Sequence, residues 1–183
     1  MAFGFFKKKK KKELHYDPTN IGVMDIRRGF IFEFDGKTWE ATEEYEYDWG
    51  DNDFTYEFKV VSENETYFLS VEEDDEIECI FSQKIPFSML DDEVEEQIIA
   101  RERAPKKIYL KGTTYYRDEE SPGHFRDIMS ESWQPFVSWT YYDDAEENVL
   151  TVEQWGERDF EASLGVVVNP SQITNILPIE MDD

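Results

Sequence analysis

The chain is poor in the residues on which disulfide frameworks, metal centres and nucleic-acid contacts depend. It has one cysteine, Cys79, in 183 residues, so no internal disulfide can form and a reducing compartment is expected. Its two histidines, His15 and His124, lie far apart in sequence, which excludes a His-rich metal site or an HExxH protease. Basic residues are scarce: nineteen Lys and Arg stand against 43 Asp and Glu, and six of them form one run, Lys7 to Lys12. The remainder has thirteen basic against 43 acidic residues, a net charge of −30. Duplex binders neutralise phosphates with Lys and Arg spread over the body, so no nucleic-acid partner is expected. No apolar stretch approaches the length that spans a bilayer. Aromatic residues, by contrast, make up 16% of the chain. Disordered chains are poor in them, so a packed core is expected, in one domain or two very small ones.

Phe3, Phe5 and Phe6 precede Lys7, Lys8, Lys9, Lys10, Lys11 and Lys12. A secretory signal places its charge first and its longer apolar segment second. The reversed order predicts a retained segment and a cytoplasmic protein. Phe beside Lys is also the composition of a weak interfacial anchor, because each Lys near an anionic leaflet contributes about 1 kcal/mol and Phe inserts at the headgroup boundary. Residues 1–16 are expected to be a flexible tail, either solvated without a partner or in contact with an anionic membrane surface.

Beyond Asp17-Pro18 the pattern is of strands. Phe30, Phe32 and Phe34 alternate with Ile31 and Glu33, a period of two. Asp35-Gly36 is a hairpin signal. Trp39, Ala41, Tyr45 and Tyr47 share odd positions, and Asp48 to Asp53 reads as a turn-rich loop. Phe54 to Val60, Tyr67 to Val71 and Ile77 to Phe81 alternate again. One helix is expected over residues 91–104: Ser88 and Asp91 resemble a capping signal, Leu90, Val94 and Ile98 fall four apart, and Pro105 stops it. Strands resume at Ile108 to Leu110 and after Gly112. Asp118 to Ser132 reads as loop with one helical turn, and Trp133 to Tyr142 as a long aromatic strand. Val149 to Gln154 and Arg158 to Leu164 follow, and Asn169-Pro170 opens a polar tail.

Events in the first half recur in the second. Gly36-Lys37-Thr38-Trp39-Glu40 parallels Gly112-Thr113-Thr114-Tyr115-Tyr116. Leu69-Ser70-Val71-Glu72-Glu73 parallels Leu150-Thr151-Val152-Glu153-Gln154. Glu78-Cys79-Ile80-Phe81 parallels Glu161-Ala162-Ser163-Leu164, and Lys84-Ile85-Pro86 parallels Ile176-Leu177-Pro178 more loosely. The expected architecture is therefore mainly β. Two pseudo-repeated antiparallel units, residues 17–90 and 105–183, share one small barrel- or sandwich-like core and are joined by the short helix. Each unit alone is too small to be stable.

Gly36-Lys37-Thr38-Trp39, Tyr56-Glu57-Phe58-Lys59-Val60, Tyr67-Phe68-Leu69-Ser70-Val71-Glu72 and Leu150-Thr151-Val152-Glu153-Gln154-Trp155 together resemble the bacterial domain of unknown function 4178 family, and the resemblance covers most of residues 25–180. It brings no catalytic residues. It implies an accessory role at the inner face of the membrane and no particular reaction.

Several constellations carry chemistry in principle. Asp48, Asp51 and Asp53 offer carboxylates, but the spacing lacks the glycine and closing Glu of an EF-hand, so a solvated acidic hairpin is the better reading. Glu72 to Glu76 is a run of five acids, which normally sits in solvent. Trp and Tyr beside carboxylates bind an ammonium by cation–π contact and ion pairing. Trp39 and Trp139 are expected in the core. Trp49 and Trp155, next to glycines, are expected in loop-like settings. Glu153 and Glu157 are a carboxylate pair of the kind that serves acid–base chemistry, but no nucleophile or metal motif accompanies them, and Ser70, Ser138 and His124 lack a nucleophile elbow. Cys79 is expected to be a small core residue.

These readings converge on a non-enzymatic, cytoplasmic binding or adaptor module with an unidentified protein partner, peripheral to the inner membrane through Phe3, Phe5, Phe6 and Lys7 to Lys12, and without a cofactor. The rival is a sensor or carrier of a polycationic ligand such as a polyamine, bound by Asp48, Trp49, Glu153, Trp155 and Glu157.

Overall fold

Among the described residues the alternating pattern folds into eleven strands and one α-helix. The structure is a computed structural model that describes residues 14–179; Phe3, Phe5, Phe6 and Lys7 to Lys12 lie outside the described residues. The strands are β1 (Phe30–Phe34), β2 (Lys37–Gly50), β3 (Asp53–Ser62), β4 (Glu65–Glu73) and β5 (Ile77–Ile85), then helix α1 (Asp92–Arg101), then β6 (Lys107–Leu110), β7 (Thr113–Asp127), β8 (Gln134–Tyr142), β9 (Asn148–Gly156), β10 (Asp159–Val168) and β11 (Thr174–Pro178). Tight turns join several neighbours. Asp35-Gly36 (φ 50° and 71°), Asp51-Asn52 (52° and 67°) and Lys111-Gly112 (50° and 84°) have both central residues at positive φ, as two-residue hairpin loops require.

Eight of these strands close a barrel. They pair in the order β2-β3-β4-β5-β10-β9-β8-β7, and β7 pairs back onto β2. Two seams complete the ring. One is β5–β10, from Cys79↔Val168 to Ile85↔Ala162 with Ser82↔Gly165 at its centre. The other is β2–β7, from Tyr45↔Asp127 to Asp48↔His124. Outside the ring, β1 continues from β2 and carries β11 on its far edge, while β6 continues from β7.

Each barrel strand turns one set of alternate residues outward and the other into the lumen. The outward set is apolar and covered. Phe58, Val60, Leu69, Val71, Cys79 and Phe81 pack with Ile26, Phe30, Phe32 and Ile176. Trp139, Tyr141, Leu150, Val152 and Ala162 pack with Leu90, Val94 and Ile98 around α1 and with Ile108 and Leu110 of β6. Trp39, Trp139 and Cys79 are core residues, as the sequence predicts. The hydrophobic core therefore lies in two shells outside the barrel wall, which leaves the lumen to polar side chains.

Five local expectations are corrected. A bulge between Ala41 and Glu43 puts Trp39 and Ala41 in the outer core but Tyr45 and Tyr47 in the lumen, so the odd positions of β2 do not share a face. Asp118 to Asp127 is strand, not loop. Pro122 fits because it lies beyond the end of the β2–β7 ladder, where β7 keeps only β8 as partner there. Asn169-Pro170 starts a short 3₁₀ turn rather than a polar tail, and Ile173 and Ile176 then bury as β11 pairs with β1. The helix is capped by Asp91, whose side chain accepts from the Glu93 N–H, and ends at Glu102 in the left-handed conformation, short of residue 104. Tyr16, assigned to the tail, packs edge-on against Phe30 at 5.5 Å.

The acidic lumen as candidate functional site

The lumen is built from the residues left over when the apolar set turns outward. Its upper chamber holds about 330 Å³ and is walled by side chains of all eight barrel strands, among them Tyr45, Tyr47, Glu57, Lys59, Lys84, Glu153, Trp155 and Glu161. A lower chamber of about 130 Å³ is lined with hydroxyls, including Ser70, Ser138, Thr140 and Thr151, and with Asp53, Glu72 and Glu119. Glu57, Glu153, Tyr47, Ser82 and Ser163 line both chambers, so they form the waist between them. Strands β3 and β9, which carry Glu57 and Glu153, stand opposite each other in the ring of eight.

Charges at the waist are unequally matched. Lys84 is ion-paired with Glu161 across the β5–β10 seam, and Lys59 with Glu43 at 2.6 Å. Glu57 accepts a hydrogen bond from the Tyr47 hydroxyl at 2.8 Å and has no salt bridge; Glu153 has none either among the described residues. Removal from water raises the Glu57 carboxyl above its ordinary range, opposed by the Tyr47 hydroxyl and by Lys84. The same desolvation, reinforced by the Glu57 charge, pushes Glu153 up to about 8, with Lys84 opposing. In the lower chamber Glu72 is raised too, by burial first and then by the charges of Asp53 and Glu119.

Aromatic rings wall the upper end. Trp155 stacks on Phe136 at 4.6 Å and meets Phe125 edge-on at 5.2 Å. Its indole N–H is shielded from solvent and has no hydrogen-bond partner, an orphaned donor beside Glu153. Toward the lower chamber, Trp49 stacks on Tyr47 at 5.7 Å and donates its N–H to Thr55 at 2.8 Å. A separate depression of about 710 Å³ at the wall is lined by Asp48, Trp49, Phe136, Val137 and Trp155.

The five predicted ligand residues are thus only partly gathered. Trp155 joins the depression to the upper chamber, Asp48 and Trp49 line the depression, and Glu153 stands at the waist. Glu157 is exposed at the β9–β10 turn, so its expected pairing with Glu153 is replaced by Glu57 and Glu153. Trp49 and Trp155 sit on strands rather than loops. Glu57, Tyr47 and Lys84 are not among the site residues the sequence predicts. Their trace is polar alternation: Thr55, Glu57 and Lys59 interleave with Tyr56, Phe58 and Val60, which reads as a solvated face until the ring closes. The whole acidic run Glu72 to Glu76 is exposed, with Glu72 at the open end of the lower chamber's lining. Among the described residues no group of three or more His, Cys, Asp or Glu has the arrangement to hold a metal ion, and no helix is long and apolar enough to cross a membrane.

An antiparallel eight-stranded barrel with a polar, carboxylate-bearing lumen is the class of protein that fold and site define. Residues 27–170 match the domain of unknown function DUF4178, and the chain belongs to that family. An uncharacterised protein of Aquifex aeolicus (strain VF5) is 28% identical over 153 residues, covering 84% of this chain and 83% of the relative. No solved structure matches significantly.

Proposed function

We propose that the protein is a non-enzymatic binding protein that takes a small cationic ligand, of the polyamine kind, into the barrel lumen. The observation that supports it is the facing of Glu57 and Glu153 at the waist with no cation of their own, below an aromatic wall. An ammonium between two carboxylates gains charge-assisted hydrogen bonds, and the Trp155 and Phe125 rings offer cation–π faces at the entrance. The upper chamber, at about 330 Å³, falls at the small end of the range for ligand pockets, roughly 300–1,000 Å³. A cytoplasmic sensor or carrier is the role this reading describes.

Calorimetry with spermidine at physiological salt tests it. A protein this acidic attracts any polycation diffusely, so the controls matter more than binding itself. Trp155→Ala leaves net charge unchanged and is expected to weaken binding about two- to thirtyfold, the range of a cation–π contact. Asp75→Asn, on the exposed acidic turn, removes one charge and is expected to change affinity less than about twofold. Equal, small effects of both would reduce the interaction to the diffuse field.

The sequence of the N-terminal segment favours a second property. Phe3, Phe5, Phe6 and the six lysines that follow fit recruitment to an anionic membrane surface, the adaptor role. Flotation with vesicles containing anionic lipid should then succeed for the full chain, fail after deletion of residues 1–12, and weaken with salt. Identical flotation of both forms rejects it. As to origin, the two halves are proposed pseudo-repeats, supported by equivalent register: Leu69 pairs with Phe81 and Val71 with Cys79, as Leu150 pairs with Leu164 and Val152 with Ala162. In the first half Pro86 leads into a 3₁₀ turn after β5, and in the second Asn169 does so after β10; this, rather than Ile176-Leu177-Pro178 in β11, is the counterpart of Lys84-Ile85-Pro86. A superposition of residues 28–86 on 106–178 that failed to bring Leu69 onto Leu150 would reject the duplication.

A further inference from the structure

The waist of the lumen is built for exchange as well as for attraction. We infer that Glu57 and Glu153 share one proton in the unliganded barrel, and that an ammonium entering the waist displaces it, so that capture of the ligand releases one proton to solvent. The inference rests on the lumen being the ligand site.

Three features of the geometry carry it. First, the two carboxyls come from opposite strands of a closed ring and line both chambers. Both are half-buried, and like charges confined together away from bulk water do not both ionise readily. Second, the neighbouring cations are already committed: Lys84 to Glu161 and Lys59 to Glu43. Third, the hydrogen bonds distinguish the two carboxyls. Glu57 accepts a well-formed bond from the Tyr47 hydroxyl, which favours its charged form, whereas the Trp155 N–H beside Glu153 falls short of hydrogen-bond geometry and is the last of the influences on that carboxyl, favouring its charged form least. The proton therefore resides mainly on Glu153, whose carboxyl is the more strongly raised of the two by burial and by Glu57.

The remaining groups facing the waist do not relieve the pair. From β2 it meets Tyr45 and Tyr47, and Tyr47 is held neutral by burial and by the Glu57 charge. Strand β10 contributes Glu161, committed to Lys84, and Asp159 at the upper end. Strands β3, β4 and β7 contribute Asp53, Glu72 and Glu119 in the lower chamber, all acids. Strand β8 contributes only Ser138 and Thr140 there. Neutral Glu153 plus a bound ammonium gives a Glu153 carboxylate–ammonium pair plus a free proton, so charge and atoms balance, and Glu57 stays ionised throughout.

Calorimetry of the full chain with spermidine near pH 7, in buffers of different ionisation enthalpy, reads the number of protons released. About one is expected for the wild type and close to none for Glu153→Gln. Affinity should rise about tenfold from pH 6 to pH 7 in the wild type, since one proton competes with the ligand, and stay flat in Glu153→Gln. Carboxyl carbon shifts of Glu-labelled protein without ligand give a second reading: one protonated Glu near pH 7, absent from Glu153→Gln. Spermidine binding without proton release, or a fully ionised set of glutamates near pH 7, overturns the exchange while leaving the binding site standing. Absence of spermidine binding overturns both.

Discussion

Glu153→Gln is expected to stabilise the protein at neutral and alkaline pH, by about 3 kcal/mol above pH 8, and to leave it unchanged near pH 4. The sign follows from the proton balance. Folded, Glu153 titrates near 8; its ordinary value is 4.5. Below the ordinary value both states hold the proton and nothing is at stake. As pH rises from about 4.5 to about 8 the unfolded chain gives up the proton while the folded one keeps it, so stability falls along that interval. At about 1.4 kcal/mol per unit the ceiling is roughly 5 kcal/mol. Coupling to Glu57 and the partial wetness of the lumen lower it. The amide keeps the shape and the hydrogen-bonding capacity but cannot ionise. For a chain of this size about 3 kcal/mol corresponds to a rise in Tm of roughly 6–12 °C. Melting curves from pH 5 to pH 9 check this: the wild type should lose stability with pH more steeply than the variant, and the curves should meet at the acid end. Parallel curves would mean that Glu153 carries no displaced proton equilibrium.

The second large effect concerns closure. Gly165 pairs with Ser82 at the centre of the β5–β10 seam. A Cβ there would lie 2.7 Å from the Ser82 Cβ, 2.9 Å from the Phe81 carbonyl oxygen and 3.1 Å from Ile80 Cγ2. Two of these neighbours are fixed by the strand itself, so relief requires the seam to part. Gly123 has the same role beside the other seam, where a Cβ would sit 2.7 Å from the Trp49 ring and 3.1 Å from the Asp48 carbonyl oxygen. Gly165→Ala is expected to cost about 2–3 kcal/mol, the upper part of the overpacking range. Urea midpoints measure the loss, and hydrogen exchange locates it: amides of β5 and β10 should lose protection before those of β3 and β4. Unaltered stability would show that the seam is looser than its geometry.

Much of this architecture is legible in the residues and some of it is not, for identifiable reasons. Alternation marked Phe58, Val60, Leu69, Val71, Leu150 and Val152 as one-sided strand residues, and they are the outer core. Asp35-Gly36 and Asn52 marked turns through their tolerance of positive φ. Alternation does not say which side is inside. In a closed ring with covers on both flanks the apolar side faces out, and Glu57 and Ser70 look solvated until the topology is known. The bulge at Thr42 leaves no compositional mark, and it reverses the face of Tyr45 and Tyr47. Asp118 to Asp127 reads as loop because it is acidic and contains Pro122-Gly123. It is held as strand by partners far away in sequence, Asp48 and Val137 among them. Trp155 and Glu153 stood out because aromatics beside carboxylates have an evident chemistry. Their true companion, Glu57, is almost a hundred residues away and declares itself only across the lumen.

The most direct test of the lumen as the ligand site is the structure of the protein crystallised with spermidine. The account predicts an amine nitrogen at the waist, within hydrogen-bond distance, about 3 Å, of both the Glu57 and the Glu153 carboxylates, with the rest of the chain running into the upper chamber beneath Trp155. Spermidine lying instead along the exposed acids Glu73 to Glu76, with the waist filled only by water, would contradict it.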